Sequence, residues 1–290
     1  MLGSRRVVVV MPAYNAALTL RRTVAEIDRN VVDEILMVDD ASTDATIQEA
    51  RRLGITTEIH PQNRGYGGSQ KTCYSRALAH DADVIVMLHP DYQYSPRLVP
   101  AMAAMIASDE YDFVLGSRIL AQNAIEGGMP RYKYLSNRAL TLVENMMLGS
   151  KLSEFHTGLR AYNRELLEAI PYELNSDDFV FDNQVIVQAL AAGARLGELS
   201  CPTRYEPESS SINFWRSTKY GFGVLASAYQ YRRQMAGKAS YPYLDVIPMR
   251  PAAVGGRVNS SVASATSPAT LIRQSRLHPS REPQTDPQGR

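Results

Sequence analysis

The sequence predicts an α/β domain: a mostly parallel sheet with helices on both faces. Short apolar, β-branched runs recur from Val7 to Gly116, each separated from the next by a stretch with helical spacing. Each run stops abruptly at polar residues, the pattern of strands buried on both faces whose C-terminal ends form a ligand-binding edge.

The first strand is Val7 to Met11, ended by Pro12-Ala13-Tyr14-Asn15. A helix over about Ala17 to Arg29 follows from Leu20, Val24 and Ile27 at helical spacing. The second strand, Glu34 to Val38, ends in Asp39 to Asp44, where Ser42 or Thr43 is expected to cap a helix running to Leu53. Thr56 to Ile59 is the third, followed by the glycine loop Gly65-Tyr66-Gly67-Gly68 and a helix from about Ser69 to Ala79. That loop could bring backbone N–H groups near a phosphate, although it is neither a Walker loop nor a GxGxxG. The fourth strand, Val84 to Leu88, stops at His89-Pro90-Asp91 and is followed by a helix through Met105-Ile106. The fifth, Phe113 to Gly116, leads into Ser117-Arg118.

Beyond Gly116 the alternation fades. Met129 to Ser150 reads as a helix carrying Arg131, Lys133 and Arg138, and Val180 to Ala192 as another with Asp182 in its first turn. Arg195 to Leu199 is a last strand. These readings divide the chain into a domain over 1–212 (halves 1–118 and 119–212), a helical extension over 213–240 and a disordered tail over 241–290, without any periodicity after about Pro251. The extension mixes aromatic residues with Arg216, Lys219, Arg232 and Arg233, which fits either packing on its own domain or lying on a membrane surface.

Composition sets bounds. A chain of 290 residues buries a full core, and a net charge of +1 gives no general attraction to nucleic acid. Cys73 and Cys201 lie far apart, so no disulfide framework is implied. Without a signal peptide or a span of ~20 apolar residues, the protein is expected in the cytoplasm, at most peripheral on the inner face of the cell membrane.

On extended backbone, residues i and i+2 share a face, so His89 and Asp91 converge, and Gln93 joins them if the chain stays extended through Tyr92. Imidazole, carboxylate and amide oxygen make a divalent-cation site. The other reading of Asp91 is a cap for the helix beginning near Ser95-Pro96. Asp182 reads equally as a general base or as a first-turn helix carboxylate. Arg160 reads as a buttress of the Gly158 turn, and His156 as a hydrogen-bonded structural histidine.

The segments Pro12-Ala13-Tyr14-Asn15, Val38 to Asp44, Asn63 to Gly67, Asp91-Tyr92-Gln93, Gly116-Ser117-Arg118 and Thr157 to Tyr162 resemble, in order and spacing, the inverting family 2 glycosyltransferases of GT-A fold. Within that family the chain looks most like bacterial relatives of dolichyl-phosphate mannose synthase, over roughly residues 5–220. The resemblance implies a nucleoside diphosphate-sugar donor held by Pro12, Ala13, Tyr14, Asn15, Asp39, Asp40, Gly65 and Lys71. It implies Mg²⁺ or Mn²⁺ at Asp91 and Gln93, with His89 as a third ligand, and an acceptor phosphate at Arg118 and Arg131. It also implies Arg204 at the donor diphosphate. Asp91, Asp182, Arg118 and Arg204 form the implied catalytic set. The sequence departs from the family pattern at Ala16, usually a glutamate, and at His89, usually an aspartate. The expected reaction is sugar transfer to a polyprenyl phosphate. A saccharide acceptor deprotonated by Asp182 and a non-catalytic nucleotide-sugar binder are the alternatives.

Overall fold

A computed structural model describes residues 3–120, 124–202 and 214–249, with the backbone alone at 214–216. In chain order the elements are β1 (Val7–Ala13), α1 (Ala17–Ala25), β2 (Glu34–Asp39), α2 (Thr46–Arg52), β3 (Thr56–Ile59), α3 (Gly65–Ala79), β4 (Val84–Met87), α4 (Val99–Ala107) and β5 (Phe113–Ser117). Then come α5 (Arg131–Leu148), β6 (Arg160–Asn163), α6 (Arg164–Ala169), α7 (Phe181–Ala191), β7 (Leu196–Ser200) and α8 (Phe214–Met235). The strands form one seven-stranded sheet in the order β3-β2-β1-β4-β6-β5-β7. Every neighbouring pair is parallel except those of β6, which runs antiparallel to both β4 and β5.

The valine run of β1 shows why the sheet is covered twice. Val7 to Val10 are all fully buried. Val8 and Val10 enter a core with Tyr74 of α3 and Phe181 of α7, while Val7 and Val9 enter another with Leu20 of α1 and Met102 of α4. Side chains alternate between faces, so a strand apolar at every position requires helices on both.

β6 has no apolar run to announce it. Arg160-Ala161-Tyr162-Asn163 is a strand because of its neighbours: Ala161 pairs with Val86 and Val114, and Tyr162 stacks on Phe113 at 4.6 Å between ring centres. Local expectations fail at two caps. Neither Ser42 nor Thr43 caps α2; Asp44 Oδ1 accepts from the Thr46 backbone N–H at 2.9 Å instead. α1 ends at Ala25 rather than Arg29.

The expected tail also begins too early. Residues 241–249 dock on the domain: Leu244 is buried, Ile247 N–H donates to Ala169 O at 2.9 Å, and Met249 N–H donates to Ala192 O at 2.9 Å. Five apolar side chains within Tyr241 to Met249 pack on the core or join it, a local density hidden when composition is averaged over the whole tail. Residues 250–290 of that expected tail lie outside the described residues. α8 packs on α5 and α7, with Val224 and Ala228 buried. Among the described residues no helix is long and apolar enough to cross a membrane.

Candidate active site

Because β6 runs against its neighbours, its N-terminal end meets the C-terminal ends of β4 and β5 on one edge. There the residues from Thr157 to Arg160 approach His89 and Arg118, around a cavity of about 640 Å³. His89, Asp91, Gln93, Arg118, Gly158 and Asp182 all line it. So do Tyr66 and Lys133, which the sequence reading did not single out as site residues, and the facing sides of α5 and α8.

The backbone is not extended through the candidate metal-binding segment. Tyr92 has φ of 60°, and Asp91 Oδ1 accepts from the Gln93 N–H at 3.1 Å in a tight turn. The three side chains reach the same cavity nonetheless. Asp91 is not a helix cap: Ser95 holds that position, with no side-chain cap bond. Tyr92 is locked by its ring, which lies 3.7 Å from the Arg22 guanidinium and donates its hydroxyl to Glu26 at 2.5 Å. Among the described residues no group of three or more His, Cys, Asp or Glu side chains could hold a metal. His89, Asp91 and Gln93 bring an imidazole, a carboxylate and an amide oxygen to the cavity, a donor set compatible with a divalent cation. Burial lowers the His89 imidazole below its ordinary value, against the opposing pull of Asp91 and Asp182.

Asp182 is held on both oxygens. Tyr66 donates to Oδ2 at 2.7 Å and Gln70 to Oδ1 at 2.9 Å. Arg160, fully buried, donates to Thr157 O at 2.8 Å and to Asp182 O at 2.6 Å, which is the buttress expected of it. His156 bonds the Tyr220 hydroxyl through Nδ1 at 2.8 Å, so it ties α8 to the β6 loop. Its Nε2 lies 3.2 Å from Glu144 Oε2, within ion-pair distance but outside hydrogen-bond geometry, so neither atom has a hydrogen-bond partner among the described residues. Burial pushes the Glu144 carboxyl up to about 8 and the His156 imidazole down to about 3.

The strand ends nearer β1 and β2 form a second cluster. Asp40 N–H donates to Ala13 O at 2.8 Å, and Asn15 Oδ1 accepts from Thr43 N–H at 2.9 Å, which joins the two ends. Tyr14 is 55% exposed beside them, with Pro12 half-buried and Ala13 buried. Asp39 is fully buried, and its Oδ1 has no hydrogen-bond partner among the described residues. Asp40 is committed: it takes His60 Nδ1 at 2.8 Å, Arg64 N–H at 2.8 Å and Gly65 N–H at 3.0 Å.

The glycine loop turns out to be the first turn of α3, and its glycines serve close packing. A Cβ on Gly67 would fall 2.3 Å from Ser176 O, and Gly65 has φ of 86° with Asp177 O 2.7 Å from its would-be Cβ. Gly65 N–H is used by Asp40 and Gly67 N–H by Asp177 O, so these amides do not form a phosphate cradle. Lys71 is drawn away from the cavity, donating to Asn175 O at 2.5 Å and to Asp177 at 2.7 Å. Arg118 lines the cavity with its guanidinium paired to buried Glu154. Arg131 is exposed at the start of α5, and Lys133, two residues on, reaches the cavity. Arg204 lies outside the described residues.

Known proteins share this architecture. The chain matches the family model described as glycosyl transferase family 2 over residues 8–170. It is 30% identical over 199 residues to a dolichyl-phosphate hexose transferase of Haloferax volcanii, covering 68% of this chain and 82% of that one. It is 28% identical over 206 residues to an undecaprenyl-phosphate mannosyltransferase of Micrococcus luteus, covering 67% and 82%. The glucosyl-3-phosphoglycerate synthase of Mycobacterium tuberculosis, solved with Mn²⁺, uridine diphosphate and glucosyl-3-phosphoglycerate, superposes with a TM-score of 0.61 at 19% identity, covering 79% and 80%. A GT-A-like sheet, a polar ligand edge and a family match over more than half its length establish that the chain belongs to glycosyltransferase family 2.

Proposed function

We propose that the protein transfers a sugar, with inversion, from a nucleoside diphosphate-sugar to a polyprenyl phosphate, with Mg²⁺ or Mn²⁺ at His89, Asp91 and Gln93. The observation that carries this reading is the mixed lining of the cavity. Polar groups, among them His89, Asp91, Arg118 and Lys133, line it together with the apolar side chains of Met129, Leu140, Val143 and Leu225. A charged head joined to a hydrocarbon chain matches both kinds of lining. The two similar proteins named for dolichyl- and undecaprenyl-phosphate point the same way.

The bound cation would supply electrostatic stabilisation of the leaving diphosphate. The donor's base and ribose fall to the Tyr14, Asn15 and Asp39 cluster, where Asp39 Oδ1 is a buried acceptor that a donor hydroxyl or N–H would satisfy. Arg118, fixed by Glu154, and Lys133 line the cavity, and in this reading they meet the acceptor phosphate. A phosphate monoester is largely dianionic at neutral pH and needs no base, which suits an Asp182 whose oxygens both accept hydrogen bonds already.

The same two helices suit a peripheral position on an anionic membrane. α5 and α8 carry seven Lys and Arg residues and one acid, Glu144, which is buried. They also hold half of the large apolar side chains that are exposed among the described residues, including Leu135, Leu142 and Phe222.

The test is transfer from labelled UDP- and GDP-sugars, with Mg²⁺ or Mn²⁺, to undecaprenyl phosphate or to oligosaccharides. Label extracted into organic solvent is expected. Label found only in water-soluble saccharide, with all turnover lost in Asp182→Asn, would assign Asp182 as a base and overturn the lipid acceptor.

A further inference from the structure

Tyr66 sits between two groups that matter, and a phenol has only one proton to give. Its hydroxyl oxygen is 2.7 Å from Asp182 Oδ2 and 3.1 Å from His89 Nε2. Gln70 donates to the other oxygen of Asp182, and the Arg160 guanidinium lies 3.6 Å away. Both oxygens of Asp182 receive hydrogen bonds, and in the shorter of its two contacts the phenol is the donor. The proton of Tyr66 therefore goes to Asp182, and toward His89 the same oxygen can only accept.

We infer that Tyr66 is a positioning residue that fixes His89 in the tautomer protonated on Nε2, leaving Nδ1 as the ring atom able to ligate a metal. In its final clause this rests on the cation site proposed above; the tautomer assignment stands without it. The ring has little freedom to escape the arrangement. It stacks on Tyr66 at 5.4 Å between centres, with 14° between planes, and Tyr66 is backed by Phe179 at 4.7 Å. On the other side Gly158 makes room: a Cβ there would fall 2.8 Å from His89 Cδ2 and 2.9 Å from Nε2. A histidine replacing the family's usual aspartate thus comes with its own orienting partner, in the manner of carboxylate–histidine pairs behind metal ligands.

The decisive reading is the ring ¹⁵N spectrum of His89 in metal-free protein, where protonated and unprotonated nitrogens are far apart in shift. Wild type is expected to show Nε2 protonated and Nδ1 bare. Tyr66→Phe keeps the stacked ring and removes only the hydroxyl, so it should mix the tautomers and weaken binding of Mn²⁺ alone by about tenfold. Asp182→Asn presents an amide to the phenol, releases its proton toward His89, and should raise the Nδ1-protonated form. A wild-type spectrum with Nδ1 protonated, or one unchanged in Tyr66→Phe protein of native melting temperature, overturns the assignment. If the spectra respond as expected while Mn²⁺ fails to broaden the His89 resonances in wild type, the positioning role is upheld and the cation reading is what fails.

Discussion

Glu144→Gln should stabilise this protein, and more so as pH rises. Glu144 is fully buried on α5, with Asn183 donating to one oxygen and no hydrogen-bond partner for the other among the described residues. Burial raises its carboxyl from the ordinary 4.5 to about 8, so the folded protein disfavours the charged form. Below pH ~4.5 both folded and unfolded chains hold the proton and there is no penalty. As pH climbs through the interval the unfolded chain ionises first, and stability falls until the folded group ionises near 8. At ~1.4 kcal/mol for each tenfold change, the whole interval amounts to about 5 kcal/mol. About 3 kcal/mol of that is gone by pH ~7. His156 does not rescue the charge, because burial keeps its imidazole neutral, down to about 3. Glutamine keeps the acceptor for Asn183 and offers an N–H toward His156 Nε2. Allowing for relaxation around a buried charge, the gain at pH ~8 should be about 2–4 kcal/mol, shrinking toward zero near pH ~4.5. Urea unfolding of both proteins across that range measures it. Curves that run parallel with pH would refute the reasoning, since they would mean that Glu144 ionises alike in the folded and unfolded chains.

Three further outcomes are expected. Gly67→Ala forces a Cβ against Ser176 O and Phe181, and should cost about 2–3 kcal/mol in chemical denaturation. His89→Asp restores an oxygen ligand, so the ratio of kcat/KM with Mg²⁺ to that with Mn²⁺ should rise about tenfold; an unchanged ratio would make His89 a bystander. Ending the chain at 240 removes Leu244 and the hydrogen bonds of Ile247 and Met249, and should lower Tm by about 5 °C or more, whereas ending it at 249 preserves these contacts.

The parts of the fold that could be read from the sequence are those where one strand's own residues decide the matter. Val7 to Val10 and Val84 to Leu88 carry their burial on both faces in their composition, and His89 and Asp91 follow the second run directly to the cavity. What could not be read depends on partners far away in the chain. Gly67 looks like a phosphate loop until Ser176 and Phe181 are seen against it. Arg160 to Asn163 is a strand only because β4 and β5 leave a slot between them. The first-turn position of Asp182 says nothing of Tyr66 and Gln70, which donate to its two oxygens. Tyr66 itself left one signal: a large aromatic ring among three glycines, where a pure phosphate loop has no use for one.

The antiparallel insertion of β6 has a consequence for how the protein comes to exist. β1, β2, β3 and β4 are contiguous neighbours built from residues 7–87, and they can pair as the chain is made. The other half cannot. Val84 must wait for Asn163, and Phe113 for both Tyr162 and Leu196, long loop closures that two-state chains make slowly. Gly158, which admits His89, and Arg160, which secures Asp182, arrive with that late strand. An early intermediate would therefore hold the Tyr14 and Asp39 cluster nearly complete while His89 still lacked its surroundings. On the function proposed above, the half-folded molecule would recognise a nucleotide before it could do anything with a sugar.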